Sequence, residues 1–276
     1  MYDLPSAASD MRLRMVSRRD ALRYATALAG LGTASIACGS YTATAASAPQ
    51  LVDFAARQIP AQQIRAAGYS GVVNYVSLSR PGSSFGAKPI TRSYADSLKA
   101  AGLVIVSNYQ YGKPGGSAPS DFTRGYAGGV ADARTAWQLH TAAGGGESAP
   151  IFFTIDEGIN RDTWNRLALP WFRGINSVLG VQHTGVYGGI DVCQWAVSDD
   201  VVGSSSTAGR RWAWQTRAWS GNQVHPAAVL YQRVVSTASN PGPRVGGLEV
   251  DVNDVLAPDC GQWNLSRSSY PNGDAQ

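Results

Sequence analysis

Past its first ~45 residues the chain alternates short apolar runs with stretches of helical period, the order of elements that builds a parallel sheet covered by helices. The first run is Leu51-Val52-Asp53-Phe54-Ala55, followed by a helix over 61–67 that Gly68 stops. Val72 to Val76 reads as the second strand, with a helix over 91–101 ended by Gly102. Leu103 to Tyr109 is the third, and a long helix over 121–143 closes at Gly144-Gly145-Gly146. Ile151 to Asp156 is the fourth, with a helix over 162–179 in which Pro170 predicts a kink. The second half is looser. Its strands are Thr184–Tyr187, Arg211–Gln215, Ala228–Gln232 and Leu248–Asp251, and only the first has a following helix, over 192–198. Eight runs predict an α/β fold, a (β/α)₈ TIM-type barrel irregular in its last quarter. The rival, an open doubly wound sheet, lacks a glycine-rich phosphate loop after the first strand.

Strand parity then selects the residues that point into the barrel. Asp53 alternates with Val52 and Phe54. Asp156 shares a face with Phe152 and Thr154. On the last run Glu249, Asp251 and Asn253 share a face opposite Leu248, Val250 and Val252. Asp53, Asp156 and Asp251 are thus expected to meet at one mouth, where strand C-terminal ends carry barrel active sites. Three convergent acids raise one another's pKa and cost stability, a cost folds accept at functional sites. Tyr75, Tyr109, Tyr111, Tyr187, Trp214, Trp219 and Tyr231 lie at or just past strand ends, where flat rings with polar tips suit sugars, although ordinary core packing accounts for such rings equally well.

The start of the chain changes the picture of where it works. Ser17-Arg18-Arg19-Asp20 precedes a mild apolar run, Tyr24 to Cys38, and small residues Ala43-Thr44-Ala45 place a cleavage site before Ala46. This is the pattern of a twin-arginine signal, so residues 1–45 are read as a leader taken by the Tat translocase, 46–263 as the barrel domain and 264–276 as a disordered tail. A lipid anchor at Cys38 is not expected, because Ser35 stands where such a motif has Leu. The protein is expected to be secreted or associated with the cell envelope.

Charge and composition narrow the chemistry. The net charge of the 276 residues is +4, and the leader's five Arg against three Asp account for half of it, so no nucleic-acid partner is indicated. His140, His183 and His225 lack paired ligand spacing, so no metal or other cofactor is expected. No Gly-x-Ser-x-Gly elbow occurs. Cys193 and Cys260 survive leader removal, and spacing leaves both a disulfide and two buried thiols open.

From Leu51 to Trp263 the sequence resembles a glycoside-hydrolase-like domain of Tat-exported actinobacterial proteins, itself similar to family 25 lysozymes. The resemblance is carried by Leu51-Val52-Asp53-Phe54, by the 59–68 segment Ile-Pro-Ala-Gln-Gln-Ile-Arg-Ala-Ala-Gly and by Val106 to Lys113. Ile155-Asp156, Thr184-Gly185-Val186-Tyr187 and Val250-Asp251-Val252-Asn253 extend it. It implies hydrolysis of envelope glycan such as peptidoglycan by paired carboxyls. Asp53, Asp156 and Asp251 match the lysozymes' acids, and Tyr231-Gln232 stands where they have Trp-Gln. The catalytic Glu position, however, is Gly158 here, and the neighbouring acid is Glu157. Expected catalytic residues are therefore Asp156, Glu157 (as proton donor), Asp251 and Asp53. Expected substrate contacts are Tyr109, Gln110, Tyr187, Trp214, Gln215, Tyr231, Gln232, Glu249 and Asn253. The missing acid keeps a second reading open, a catalytically inactive carbohydrate-binding or structural envelope module.

Overall fold

A computed structural model describes residues 48–263; the leader, its cleavage site, Cys38 and the tail beyond Trp263 lie outside them. Strands β1 (Gln50–Asp53), β2 (Gly71–Tyr75), β3 (Val104–Tyr109), β4 (Ile151–Thr154), β5 (Thr184–Gly188), β6 (Ala213–Thr216) and β7 (Leu230–Val234) run parallel where they pair with one another. The barrel is closed by a strand the pattern did not foresee in this form. Residues 248–249 belong to a small antiparallel ribbon, β8 (Arg244–Val245) with β9 (Leu248–Glu249), and the chain then turns back as β10 (Asp251–Val255). β10 is antiparallel to both β1 and β7, so the closed order is β1-β10-β7-β6-β5-β4-β3-β2. The barrel is therefore mixed, not all-parallel. The connection between β7 and β10 holds the β8–β9 ribbon and no crossover helix, so the chain re-enters the barrel from the end at which it left.

Outside the barrel lie α1 (Ala61–Ala66), α2 (Arg92–Ala100), α3 (Gly125–Ala142), α4 (Arg161–Thr163), α5 (Leu169–Leu179) and α6 (Ile190–Ser198). Between α4 and α5 the residues Trp164–Ala168 widen into a π-helical stretch just ahead of Pro170. Proline has no N–H to return to the preceding turn, and the extra residue absorbs the lost bond, so the expected kink takes the form of a bulge. Alternation divides the apolar residues into two cores. Val52, Phe54, Val72, Ile105, Ile151, Phe153 and Val186 pack outward under the helices with Trp164, Trp171 and Phe172. Leu51, Val73, Val104, Val106, Phe152, Trp212, Trp214 and Leu230 fill the barrel.

Helices α3 and α5 cross at glycines. A Cβ on Gly129 would stand 2.0 Å from the Trp171 carbonyl oxygen, and one on Gly174 would stand 2.1 Å from that of Tyr126. Under this crossing Asp132 gathers a buried network. The Tyr109 hydroxyl donates to it at 2.7 Å, the Trp171 indole at 2.8 Å and the Arg124 guanidinium at 2.6 Å. Cys193 is a buried free thiol at the base of α6, its Sγ 3.7 Å from the Gly188 carbonyl oxygen, so no Cys193–Cys260 disulfide forms.

Candidate active site

The filled barrel opens at the C-terminal ends of its parallel strands into a cavity of about 460 Å³. Asp53, Asp156 and Asp251 all line it. Their routes there differ. Asp53 is the last residue of β1 and Asp156 follows β4 by two residues, as parity requires. Asp251 is the first residue of β10, which reaches the same mouth because that strand is antiparallel. Asp53 and Asp251 are direct cross-strand partners. Side chains so placed have Cβ atoms about 5 Å apart, and two like charges there oppose folding.

One amide holds the pair together. Gln232 on β7 donates from Nε2 to Asp53 Oδ2 at 3.2 Å and to Asp251 Oδ2 at 2.9 Å, while its Oε1 accepts from the Tyr187 hydroxyl at 2.7 Å. Beneath, Asn253 donates to Asp53 Oδ2 at 2.7 Å and accepts from the Trp214 indole at 2.7 Å. The Ser236 backbone N–H reaches Asp251 Oδ1 at 2.7 Å. Burial, and for Asp251 the neighbouring Asp53, raise both carboxyls, Asp53 to about 6 and Asp251 to about 8, against 3.8 in the unfolded chain. Both shifts favour a proton kept on the pair at a pH where solvated aspartates have lost theirs. Asp156, three strands from β1 around the barrel, is raised by burial as well, and is held by Gln110 Nε2 at 3.0 Å with Lys113 and Lys88 near enough to oppose that rise.

Because both carboxyls of the pair titrate higher folded than unfolded, the folded state binds more protons between about pH 4 and pH 8. Stability therefore falls as pH rises through that window. Asp53→Asn keeps an oxygen for Asn253 and Gln232 and removes one charge. Its melting temperature is expected to exceed the wild type's by about 3 °C or more at pH 8 and to match it near pH 4, read by thermal melts at both values. A variant that melts lower at pH 8 would contradict the repulsion.

Of the other expected residues, Gln110, Tyr187, Trp214, Gln232 and Glu249 line the cavity and Asn253 lies fully buried behind it. Tyr109, Gln215 and Tyr231 do not line it. Each alternates on its strand with a residue that points inward, so parity turns it out. Tyr109 bonds Asp132, and Gln215 is engaged with the backbone of Gln223 and His225 at 2.7 and 2.6 Å. Glu157 follows the same rule. Its Oε1 accepts from the Ser120 hydroxyl, and neither it nor Gly158 lines the cavity; a Cβ on Gly158 would instead stand 2.9 Å from the exposed Trp219 ring. Three basic residues that sequence reading passed over do line the cavity: Arg80, Lys88 and Lys113. The first two sit in the aperiodic loop between β2 and α2, where the one signal is a lysine set between Ala87 and Pro89-Ile90.

A closed strand barrel with carboxyls converging over a polar mouth defines a glycoside-hydrolase-like protein. The chain belongs to the Rv2525c-like, glycoside hydrolase-like domain family, whose model matches residues 62–255. A Mycobacterium tuberculosis protein named "Putative peptidoglycan hydrolase Rv2525c" is 41% identical over 254 residues, covering 90% of this chain and 99% of the relative. Two crystal structures of the M. tuberculosis Tat-secreted protein Rv2525c are each 43% identical to it. The complex with HEPES has a TM-score of 0.69 and covers 78% of this chain and 99% of that one. The complex with L-tartrate has a TM-score of 0.71 and covers 79% and 100%.

Proposed function

We propose that the protein is exported by the twin-arginine route and hydrolyses cell-envelope glycan, peptidoglycan above all, with Asp251 as proton donor. Export is supported by Arg18-Arg19 ahead of the mild apolar run and by the relative described as Tat-secreted. The substrate class is supported by the relative's name and by a cavity lined by the aromatic residues Tyr75, Tyr187 and Trp214 beside carboxyls.

The observation that carries the reading is the Asp53–Asp251 pair. A glycosidase needs an acid still protonated near neutral pH. Asp251 meets that need through burial and its cross-strand neighbour, is the less enclosed of the two, and lines the cavity. In the proposed step Asp251 gives its proton to the leaving glycosidic oxygen as the C1–O bond breaks. Asp156, on the far side of the mouth, stabilises the positive charge growing at C1 and takes the proton of the attacking water. Asp53 stays at its post beneath Asp251 and restores its high affinity for a proton after each turnover. Glu157, turned onto Ser120, is a positioning residue for the 110–121 loop in this scheme.

The test is to incubate the purified protein with peptidoglycan and with chitin-like oligomers and to count new reducing ends. Cleavage is expected between pH 5 and pH 8. Tight binding with no new ends on any glycan would overturn the hydrolase reading and leave the envelope-binding module.

A further inference from the structure

The cavity has a second wall of opposite sign. Lys88 is 8% exposed and Arg80 is 6% exposed, yet neither forms an ion pair with any acid among the described residues. Lys88 Nζ donates to the Gln110 carbonyl oxygen at 2.9 Å and lies 3.9 Å from the centre of the Tyr75 ring and 5.0 Å from that of Phe85. The Arg80 Nη1 donates to the Tyr111 carbonyl oxygen at 2.5 Å, and its guanidinium carbon is 5.2 Å from the Phe85 ring centre. One carbonyl each leaves two Lys88 hydrogens and most of the Arg80 fork uncommitted. Lys113, exposed, completes the wall at the rim.

Cations buried against rings and single carbonyls are poorly compensated. Burial and Arg80 lower the Lys88 pKa to about 7, with Asp121 and Asp156 opposing and Lys113 adding to the fall. Neither carbonyl tie supplies a counter-charge within ion-pair distance among the described residues. Gln110 would be held without Lys88, because the Ser77 hydroxyl reaches the same carbonyl oxygen at 2.7 Å. Both cations line the same cavity as the acids.

We propose that Arg80 and Lys88, with Lys113 at the rim, form an anion subsite that takes a carboxylate or phosphate borne by an amino sugar of the glycan. The proposal rests on the glycan reading of this cavity and deepens it. Bound there, the anion makes charge-assisted bonds to two buried donors, and its sugar lies across the mouth towards the acid pair. A neutral sugar would leave the two cations uncompensated, so the subsite discriminates by charge.

Calorimetric titration of the purified full-length protein tests this with three probes: N-acetylmuramic acid, which bears a carboxylate, N-acetylglucosamine 6-phosphate, and neutral N-acetylglucosamine. At least one anionic sugar is expected to bind about tenfold or more tighter than the neutral one, and raising salt should erase much of that margin. Which anionic sugar gains identifies the carboxylate or the phosphate as the natural group. Lys88→Met and Arg80→Met should each abolish the margin and leave the affinity for neutral sugar within about twofold. Should either variant fail to fold, Lys113→Gln and the salt series on the wild type read the same margin. Equal binding of charged and neutral sugars, a margin insensitive to salt, or no binding of any probe would overturn the subsite. The reducing-end assay is independent of this outcome: cleavage without charge preference refutes the subsite alone, and charge preference without cleavage refutes the hydrolase alone.

Discussion

Asp251→Asn is expected to lower glycan turnover by about 1,000-fold while leaving glycan affinity within about threefold, because general-acid groups contribute roughly 10²–10⁴ to rate. The amide keeps the side chain's shape and one of its two bonds, to Ser236 or to Gln232, but carries no proton to give. Asp53→Asn should act differently. It leaves the acid in place and removes the charge beside it, so Asp251 should release its proton at lower pH and the falling basic limb of the pH–rate profile should move down by about one unit or more. Glu157→Gln should cost less than about threefold, as its carboxyl is engaged by Ser120 away from the cavity. Steady-state rates of the three variants across pH 4 to 9 check the set. Full activity in Asp251→Asn, with a large loss in Glu157→Gln, would transfer the donor role to Glu157.

The largest stability effect is expected where α3 crosses α5. Gly129→Ala places a methyl group against the Trp171 carbonyl, and Gly174→Ala does the same at Tyr126. Backbone cannot swing away as a side chain does, so the helices must part and lift Trp171, Phe172 and Ile175 from the buried layer they complete. Either change should cost about 3 kcal/mol and lower the melting temperature by roughly 6–12 °C. The double variant should fall short of the sum, because one separation relieves both clashes. Thermal melts of the two single variants and the double one decide this, and additive losses would show that the two contacts yield independently.

Most of the fold was legible because it depends on parity and helix period. The first five strands and the helices between them stand where apolar runs and glycine stops placed them, and Asp53 and Asp156 point inward as their neighbours Val52, Phe54 and Ile155 require. The return strand was legible only in part. Val250 to Asn253 has the same alternation read in either direction, and nothing local tells a strand which way its neighbours run, so β9 and β10 merged into one parallel strand at the sequence level. The inward face of Asp251 survived that error, since reversing a strand leaves its parity unchanged. Tyr109, Gln215 and Tyr231 each neighbour an inward residue on their strands, so parity alone turns them away from the cavity. The basic wall was not legible. Arg80 and Lys88 lie in a loop without period, and what brings them to the cavity is the course of 76–91 across the mouth.

The central claim is that the Asp53–Asp251 pair keeps a proton at neutral pH, and carboxyl-carbon NMR of protein labelled at aspartate tests it most directly. Comparison with Asp53→Asn and Asp251→Asn identifies the two resonances, which are then followed from pH 3 to pH 9. The account predicts coupled titration of the pair in two steps, the upper one above pH 6.5 or so, and loss of that upper step in each single variant. Two independent titrations complete by about pH 5, as solvated aspartates give, would contradict it.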